Sequence, residues 1–390
     1  MPWKELNPVD QRVLFIADYV RKVCSFTELC SRYEVSRKTG YKWVDRYAQD
    51  GVDGLHEQSR RPQHQPTELP YGIRQSIIRL RGSGRTESGP KKIQARLREL
   101  HPDQPVPSRT TIYRVLKTAG LIRPRHIRRR VARYGAALDT VKVPNGLWSA
   151  DFKGQFMTGD GRWCYPLTVM DHSSRYLLEC RALPGTRGAE SQVVFRRLFR
   201  RYGLPERLRT DNGVPFASLG TAGLSTLSIW WIRLGIVPER IAPGQPQQNG
   251  RHERMHRTLK RAVAQPPAAN ARSQQQRFDV FRRHYNTQRP HEALGLRTPA
   301  SAYVASVRSY PERLPEMNYP SYMHRHRVAH NGLIYWNAWR IYVGYLLAGE
   351  DIAIEPVGDG LWVLYFGPIR LGRFDERTMK AGDDYATLKL

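Results

Sequence analysis

The chain has 390 residues, of which 63 are Lys or Arg and 35 are Asp or Glu, giving a formal net charge of +28. This balance predicts binding to nucleic acid or another anionic surface. No window of about 18 uncharged apolar residues occurs, which argues against a membrane role, and no signal peptide is visible. The four cysteines form no CxxC pair. We therefore expect reduced thiols in a cytoplasmic protein.

The first 54 residues predict three helices with the spacing of a helix-turn-helix module. The helices are expected at 9–23, at 25–33, and from an N-cap at Ser36 to about residue 48. In such modules the third helix meets base edges and phosphates. The predicted DNA contacts on it are Arg37, Lys38, Tyr41 and Lys42. The alternative is an ordinary three-helix bundle with a basic face.

Residues 55–70 are rich in Gln, Arg and Pro and are predicted to be a linker. A second helix-turn-helix module is predicted over 71–122. Its helices are expected at 72–81, from Pro90 onwards, and from an N-cap at Ser108 to residue 119. The predicted DNA contacts on its third helix are Arg109, Thr110 and Arg114. Two tandem modules indicate a bipartite DNA site.

The segment over 123–145 is predicted to be an arginine-rich linker. Residues 121–134 contain six arginines and no acid. A run of like charge is usually a solvated tail, but this one lies between DNA-binding modules and a candidate catalytic domain. Its position favours a linker that tracks phosphates, and the predicted contacts are Arg123, Arg125, Arg128, Arg129 and Arg130.

From residue 146 to residue 265 the pattern changes to strands and helices that form a candidate catalytic core. Strands are predicted at 147–156, 163–170, 176–183, 207–210 and 236–241, and helices at 188–202, 224–234 and 248–263. Three consecutive strands followed by alternating helices and strands predict a mixed five-stranded α/β sheet. Asp151 falls on the first strand, Asp211 just past the fourth, and Glu253 on the helix after the fifth.

The remaining third of the chain divides into two further predicted parts and a tail. Residues 266–324 are predicted to be a basic extension, helical from 274 to 303. Residues 325–376 are rich in strand-forming residues, with hairpin signals at Asn331-Gly332 and Asp359-Gly360. They predict a small all-β barrel, which is followed by a tail over 377–390.

The three acidic residues predict a metal site that faces a polyanion. Carboxylate oxygens suit Mg²⁺ or Mn²⁺, and two such ions together can promote the opening of a phosphodiester. Three converging carboxylates repel one another unless a cation neutralises them. Asn212-Gly213 permits a sharp turn after Asp211. Gln248 and Asn249 precede the Glu253 helix, where their amides could contact phosphate.

Three motifs carry a resemblance to a known family. They are Trp148-Ser149-Ala150-Asp151, Thr210-Asp211-Asn212-Gly213, and the stretch from Pro246 to Arg254 that contains Glu253. They resemble the acidic motifs of the integrase-type DDE recombinases, which include retroviral integrases and bacterial insertion-sequence transposases. Residues 285–294 resemble the tail motif of the bacterial branch.

The resemblance implies a multidomain protein with an RNase H-like core. It implies that Asp151, Asp211 and Glu253 are the catalytic, metal-binding triad, with two Mg²⁺ or Mn²⁺ ions per active site. It further implies a homo-multimer that binds the double-stranded ends of a mobile element, cleaves phosphodiester bonds and joins 3′-OH ends to target DNA. The expected location is the bacterial cytoplasm, in association with the nucleoid.

Two features depart from the family pattern. The 41 residues between Asp211 and Glu253 exceed the most familiar spacing, and the extra residues are expected within 217–228. The His/Cys zinc module that opens retroviral integrases is absent, so recognition of DNA ends is assigned to the helix-turn-helix modules.

Two other functions compete with this one. A catalytically inactive DNA-binding regulator would keep the same modules and charge, but three intact acids argue against it. The run from His252 to His256 matches the HExxH helix of zinc metallopeptidases. The surrounding arginines disfavour zinc there, and no third ligand follows in register, although Glu292 stays open. In the preferred interpretation His252 and His256 are polar residues on the helix face, close to phosphate.

Overall fold

The computed structural model describes residues 8–57, 69–82, 88–122, 141–242, 245–337, 339–378 and 386–388. The chain divides into a first unit over 1–68 and a second unit over 69–390. Within the described ranges, no helix is both long enough and apolar enough to cross a membrane.

The first unit is a three-helix module. Its helices are α1 (Pro8–Val20), α2 (Phe26–Arg32) and α3 (Arg37–Asp50). As predicted, Ser36 caps α3, because its hydroxyl accepts a hydrogen bond from the Thr39 amide at 3.2 Å. Leu55 is fully buried in the core of this module, and Arg12 donates to its carbonyl at 2.8 Å. The folded module therefore includes residue 55, which the sequence analysis placed in the linker.

The second unit begins with another three-helix module. Its helices are α4 (Tyr71–Gly82), α5 (Pro90–Leu100) and α6 (Arg109–Thr118). Ser108 caps α6 by accepting from the Thr111 amide at 3.2 Å. The module closes around six buried side chains, which are Ile73, Ile77, Ile93, Leu97, Ile112 and Leu116. The helical N-terminal modules that the sequence predicted are confirmed.

A mixed sheet forms the centre of the second unit. Its strands are β1 (Trp148–Phe152), β2 (Phe156–Met157), β3 (Trp163–Asp171), β4 (Leu177–Leu183), β5 (Arg207–Thr210) and β6 (Val237–Arg240). The main order is β4-β3-β1-β5-β6. Strand β3 is antiparallel to β1 and β4, whereas β5 is parallel to β1 and β6. The mixed α/β core is confirmed.

The prediction of five strands with a long first strand over 147–156 is wrong in detail. Two separate strands occupy this stretch, and both pair with β3: Phe152 lies opposite Leu167, and Phe156 lies opposite Cys164. The described sheet therefore has six strands. Gly154, between the two, has little tendency to hold a strand conformation.

Helices cover both faces of the sheet. They are α7 (Gly188–Tyr202), α8 (Thr226–Arg233), α9 (Gly250–Leu259) and α10 (Ala271–Thr287). Trp148 and Ala150 pack into a cluster with residues of α7 and α8. Residues of α9 and α10 form a second cluster with β3 and β4. Because side chains alternate along a strand, Ser149 and Asp151 point to the face opposite Trp148 and Ala150, where α9 lies.

The helical segment predicted over 274–303 is shorter than expected. Helix α10 ends at Thr287, and short 3₁₀ turns follow at Glu292–Leu294 and Pro299–Ser301. The physical reason is Pro290, which disfavours a helical conformation in the preceding residue and cannot donate a backbone hydrogen bond.

The tail motif begins at the end of α10 and is tied to β4. The Asn286 side chain accepts a hydrogen bond from the Leu177 amide at 2.8 Å and donates one to the Leu177 carbonyl at 2.9 Å. Asn286 is 4% exposed, so these bonds satisfy buried backbone groups where β4 starts.

The C-terminal part is all-β, as predicted. Its strands are β7 (His324–Arg327), β8 (Leu333–Trp336), β9 (Trp339–Tyr342), β10 (Asp351–Gly358), β11 (Leu361–Phe366), β12 (Ile369–Asp375) and β13 (Ala386–Thr387). They form two sheets, β12-β11-β10-β7 and β13-β9-β8. Strand β13 lies beyond residue 376, where the sequence analysis ended this region.

The β region shares its hydrophobic core with the catalytic core. Leu224, Ile229 and Ile232, in and just before α8, belong to the same buried cluster as the strands of the β region. Leu224 lies in the stretch over 217–228, where the extra residues between the second and third acids were expected. Leu224, together with Ile229 and Ile232, therefore provides part of the surface on which the β region packs.

Candidate active site

The candidate active site lies where β1, β5 and α9 meet. Asp151 is near the end of β1, and Asp211 follows the last residue of β5. Because β1 and β5 are parallel neighbours, the ends that carry these two residues lie at the same edge of the sheet. Glu253 is in the first turn of α9, which packs on β1. Tertiary structure thus brings three distant motifs to one place.

The other two acids are close enough to affect the ionisation of Asp151. Burial, followed by the negative charge of Asp211 and a smaller effect of Glu253, raises the pKa of Asp151 to about 7. The Asp151 side chain is 18% exposed, so it keeps access to solvent. A bound divalent cation relieves the repulsion that neighbouring carboxylates exert on a charged Asp151.

Local geometry directs the second acid and supports the first. The Asp211 carboxylate accepts a hydrogen bond from the Gly213 amide at 3.1 Å, which is the turn that Asn212-Gly213 predicted. The Asn249 side-chain amide lies 3.4 Å from Asp151 Oδ2. Asn249 is 5% exposed, so it contacts the acidic cluster from a buried position.

A buried polar network lies beside Asp151, and the sequence analysis missed it. His252 Nδ1 is 2.8 Å from the Ser149 hydroxyl, and His252 Nε2 is 2.6 Å from the Thr168 hydroxyl. His256 Nε2 is 2.7 Å from the same Thr168 hydroxyl. The expectation that both histidines lie on a polar helix face is therefore wrong, since His252 is fully buried and His256 is 7% exposed.

A sequence signal for this network existed. Ser149 is two residues before Asp151, so strand alternation places both side chains on one face. Thr168 pairs with Asp151 across β1 and β3. A register for this strand pair was needed to find Thr168, and only the fold provides that register.

The network also bears on the zinc-peptidase alternative, because Asp151, His252 and His256 offer ligand atoms that all lie within 4.8 Å of one another. In an HExxH site the two histidines bind the ion together, whereas here both Nε2 atoms converge on the Thr168 hydroxyl. Burial lowers the pKa of His252 to about 3 and lowers that of His256 well below its usual value. Both rings are therefore neutral at physiological pH.

Gln248 shapes the loop before α9. Its side-chain oxygen accepts from the Ala242 amide at 2.8 Å, and its side-chain nitrogen donates to the Gln245 side chain at 2.8 Å. Arg209 Nη1 donates to the Gln248 carbonyl at 3.3 Å. Contacts of Gln248 and Asn249 with phosphate stay predictions, and both side chains have structural partners within the protein.

The other predicted DNA contacts fall into two groups. The residues predicted on the third helix of each module are all exposed, on α3 for Arg37, Lys38, Tyr41 and Lys42, and on α6 for Arg109, Thr110 and Arg114. The arginines over 123–130 lie outside the described residues.

The donor set fits hard divalent cations. Asp151, Asp211 and Glu253 provide carboxylate oxygens of the kind that Mg²⁺ and Mn²⁺ prefer. Burial and the negative charge of Asp211 both raise the pKa of Asp151, so a cation bound there would stabilise its charged form.

Family models match most of these regions. Two models described as integrase core domains match residues 142–246 and 234–299. A helix-turn-helix domain model matches residues 11–63, and a homeodomain-like domain model matches residues 39–116. The chain therefore combines helix-turn-helix DNA-binding domains with an integrase core.

Curated relatives come from mobile elements. The chain is 29% identical over 207 residues to the 31.7 kDa protein of insertion element IS407 from Burkholderia multivorans, covering 51% of this chain and 69% of that protein. It is 29% identical over 220 residues to the 39.2 kDa protein of insertion element IS476 from Xanthomonas euvesicatoria, covering 54% and 59%. A Gag-Pol polyprotein of avian reticuloendotheliosis virus is 32% identical over 127 residues, covering 31% and 10%.

Two solved structures are also similar. One is a simian T-cell lymphotropic virus intasome chain, with 18% identity, a TM-score of 0.37, and coverage of 71% of this chain and 93% of that chain. The other is the HTLV-2 integrase catalytic core with magnesium, with 14% identity, a TM-score of 0.34, and coverage of 42% and 98%. The family models thus give the chain an integrase core domain, and its curated relatives include two proteins of bacterial insertion elements.

Proposed function

We propose that this protein binds the ends of a mobile element, cleaves phosphodiester bonds there, and joins the 3′-OH ends to target DNA. The observation that carries the proposal is the convergence of three acidic motifs, with Asp151 and Asp211 at one edge of the sheet and Glu253 on the helix packed against β1, within a region matched by integrase core models. The site of action would be chromosomal DNA in the bacterial cytoplasm.

In this mechanism Asp151, Asp211 and Glu253 would hold two Mg²⁺ or Mn²⁺ ions. When bound, such a pair supplies an activated oxygen nucleophile and neutralises charge on the leaving oxygen. The chain positions the carboxylates on a strand end, a turn and a helix. It also surrounds them with a strongly basic protein, which attracts the DNA backbone to the site.

The two N-terminal modules would recognise the element ends. The exposed residues of α3 and α6 are available for base and phosphate contacts, and the arginines over 123–130 would follow the backbone between them and the core. Pairing two DNA ends needs more than one copy of the active site, so we expect a homo-multimer assembled on DNA.

The test is strand transfer with Mg²⁺, using the inverted terminal repeats found beside the gene. Asp151→Asn should abolish cleavage and joining, and leave DNA binding within about twofold of wild type, because it removes a metal ligand without altering the modules. Asp160→Asn makes the same chemical change at an exposed hydrogen-bonding residue between β2 and β3 and should keep activity.

Two results would contradict the proposal. Strand transfer that persists in Asp151→Asn would remove this residue from catalysis. A wild-type chain that binds the terminal repeats but never cleaves them would favour the alternative, a DNA-binding regulator that has lost its activity.

A further inference from the structure

The proton positions around Thr168 can be counted, because its hydroxyl has three neighbours and one proton. The Asp151 backbone carbonyl lies 3.0 Å away and can only accept, so the Thr168 proton is directed to it. The hydroxyl oxygen, 2.6 Å from His252 Nε2 and 2.7 Å from His256 Nε2, can then accept from both histidines. In this arrangement both imidazoles carry their proton on Nε2, and both Nδ1 atoms present a lone pair.

The two lone pairs meet different surroundings. His252 Nδ1 lies 2.8 Å from the Ser149 hydroxyl, which is also 3.4 Å from the Met170 carbonyl. His256 Nδ1 faces Asp151 Oδ2 at 3.7 Å, beyond hydrogen-bonding distance. Among the described residues no hydrogen bond to this nitrogen is found, and His256 is 7% exposed. His256 Nδ1 and Asp151 Oδ2 are therefore neighbours without a hydrogen bond between them.

We propose that His256 Nδ1 is a further protein ligand of the divalent ion held by Asp151, which makes this a mixed nitrogen and oxygen site. The inference rests on the proposed function and adds a fourth side chain to its metal site. Two ligands of one ion, each at about 2.0–2.2 Å, are separated by roughly 3–3.4 Å. A small rotation of either side chain therefore closes the observed gap.

Two further features of the site agree with this role. A histidine that binds a metal almost always donates its other ring N–H to a fixed acceptor, and the Thr168 hydroxyl, 2.7 Å from His256 Nε2, is placed to be that acceptor. Glu253 and His256 are three residues apart on α9, so they lie on one helix face, and this Glu-x-x-His spacing recurs in metal-binding helices. Imidazole binds Mn²⁺ better than Mg²⁺, so the site should prefer Mn²⁺.

The experiment measures metal binding by the full chain without DNA. Titration calorimetry gives the Mn²⁺ and Mg²⁺ affinities, and pulsed electron paramagnetic resonance of bound Mn²⁺ detects coupling to an imidazole nitrogen. His256→Gln keeps an N–H that can reach Thr168 and removes the Nδ1 ligand. It should lose the nitrogen coupling and weaken Mn²⁺ binding by at least about tenfold, with a smaller effect on Mg²⁺.

Two more variants separate ligation from a structural effect. His256→Asn places an amide oxygen near the position of Nδ1, so it should bind Mg²⁺ at least as well as His256→Gln and show no nitrogen coupling. His326→Gln removes a histidine of β7 in the C-terminal β region and should match wild type in every measurement.

The outcomes distinguish this inference from the proposed function. Nitrogen coupling that persists in His256→Gln, or a wild-type Mn²⁺ complex without it, overturns the role of His256. If Asp151→Asn nevertheless abolishes binding, the carboxylate site stands. Binding that is unchanged in both Asp151→Asn and His256→Gln overturns the metal site itself.

Discussion

The buried charge of Asp151 should lower the stability of the metal-free protein. Its pKa rises from 3.8 to about 7 on folding, mainly through burial and then through repulsion by Asp211. Each pKa unit corresponds to about 1.4 kcal/mol, so the penalty reaches at most about 4 kcal/mol. We expect Asp151→Asn, which removes the charge and keeps the shape, to be more stable than wild type when metal is chelated.

The sign of the pH dependence follows from the direction of this shift. Because the folded-state pKa is raised, the contribution of Asp151 to stability is highest below pH 3.8 and falls as pH rises to about 7. The difference in the free energy of unfolding between Asp151→Asn and wild type should therefore increase by roughly 2–3 kcal/mol from pH 5 to pH 8. When the variant is compared with wild type at the same pH, the contributions of the other titrating groups to the free energy of unfolding cancel.

The assay is urea unfolding of the full chain with a chelator, followed by fluorescence at pH 5 and pH 8. The nine tryptophans are spread over the first module, the core and the β region, so the emission reports unfolding of the whole chain. Added Mg²⁺ should stabilise wild type by mass action and leave Asp151→Asn unchanged. Equal stability of the two proteins at pH 8 without metal would refute the electrostatic argument.

The remaining predictions concern the tail motif and the arginine-rich linker. Asn286→Ala should destabilise the core by about 1–3 kcal/mol, because two buried groups of Leu177 lose their partner. Hydrogen exchange at the Leu177 amide should be faster in Asn286→Ala than in wild type. The neighbouring substitution Thr287→Ala should leave this exchange rate unchanged. If the Leu177 amide exchanges at the same rate in both variants, the hydrogen bonds of Asn286 do not protect it. Neutralising the five arginines over 123–130 should weaken binding to every DNA sequence and flatten its salt dependence, as measured by fluorescence anisotropy. A loss confined to terminal-repeat DNA would instead assign sequence recognition to this linker.

Local patterns in the sequence were sufficient for most of the elements. Helix ends follow from capping residues, as at Ser36 and Ser108, because a cap satisfies backbone groups within its own turn. The mixed sheet follows from strand and helix periodicity. The strand predicted over 147–156 failed at Gly154, and the helix predicted to residue 303 ended before Pro290, since each break depends on a single residue inside a longer pattern.

The three acids could be chosen from the sequence, since each lies in a short motif whose residue types suit a metal and a turn. How these acids affect one another depends on tertiary structure. Parallel pairing of β1 with β5 and packing of α9 on β1 bring the carboxylates together, and burial then raises the pKa of Asp151. The spacing of the acids in the sequence does not predict this pKa shift, because repulsion between charges depends on their distance in space and on solvent exposure.

The roles of His252 and His256 were decided by the fold alone. From the sequence they were polar residues on a cationic helix, or part of an HExxH pattern. The register of β1 against β3 places Thr168 opposite Asp151, and the packing of α9 then directs both Nε2 atoms to one hydroxyl. A hydrogen-bond network is a property of atoms that meet across elements, and those contacts exist only once the chain is folded.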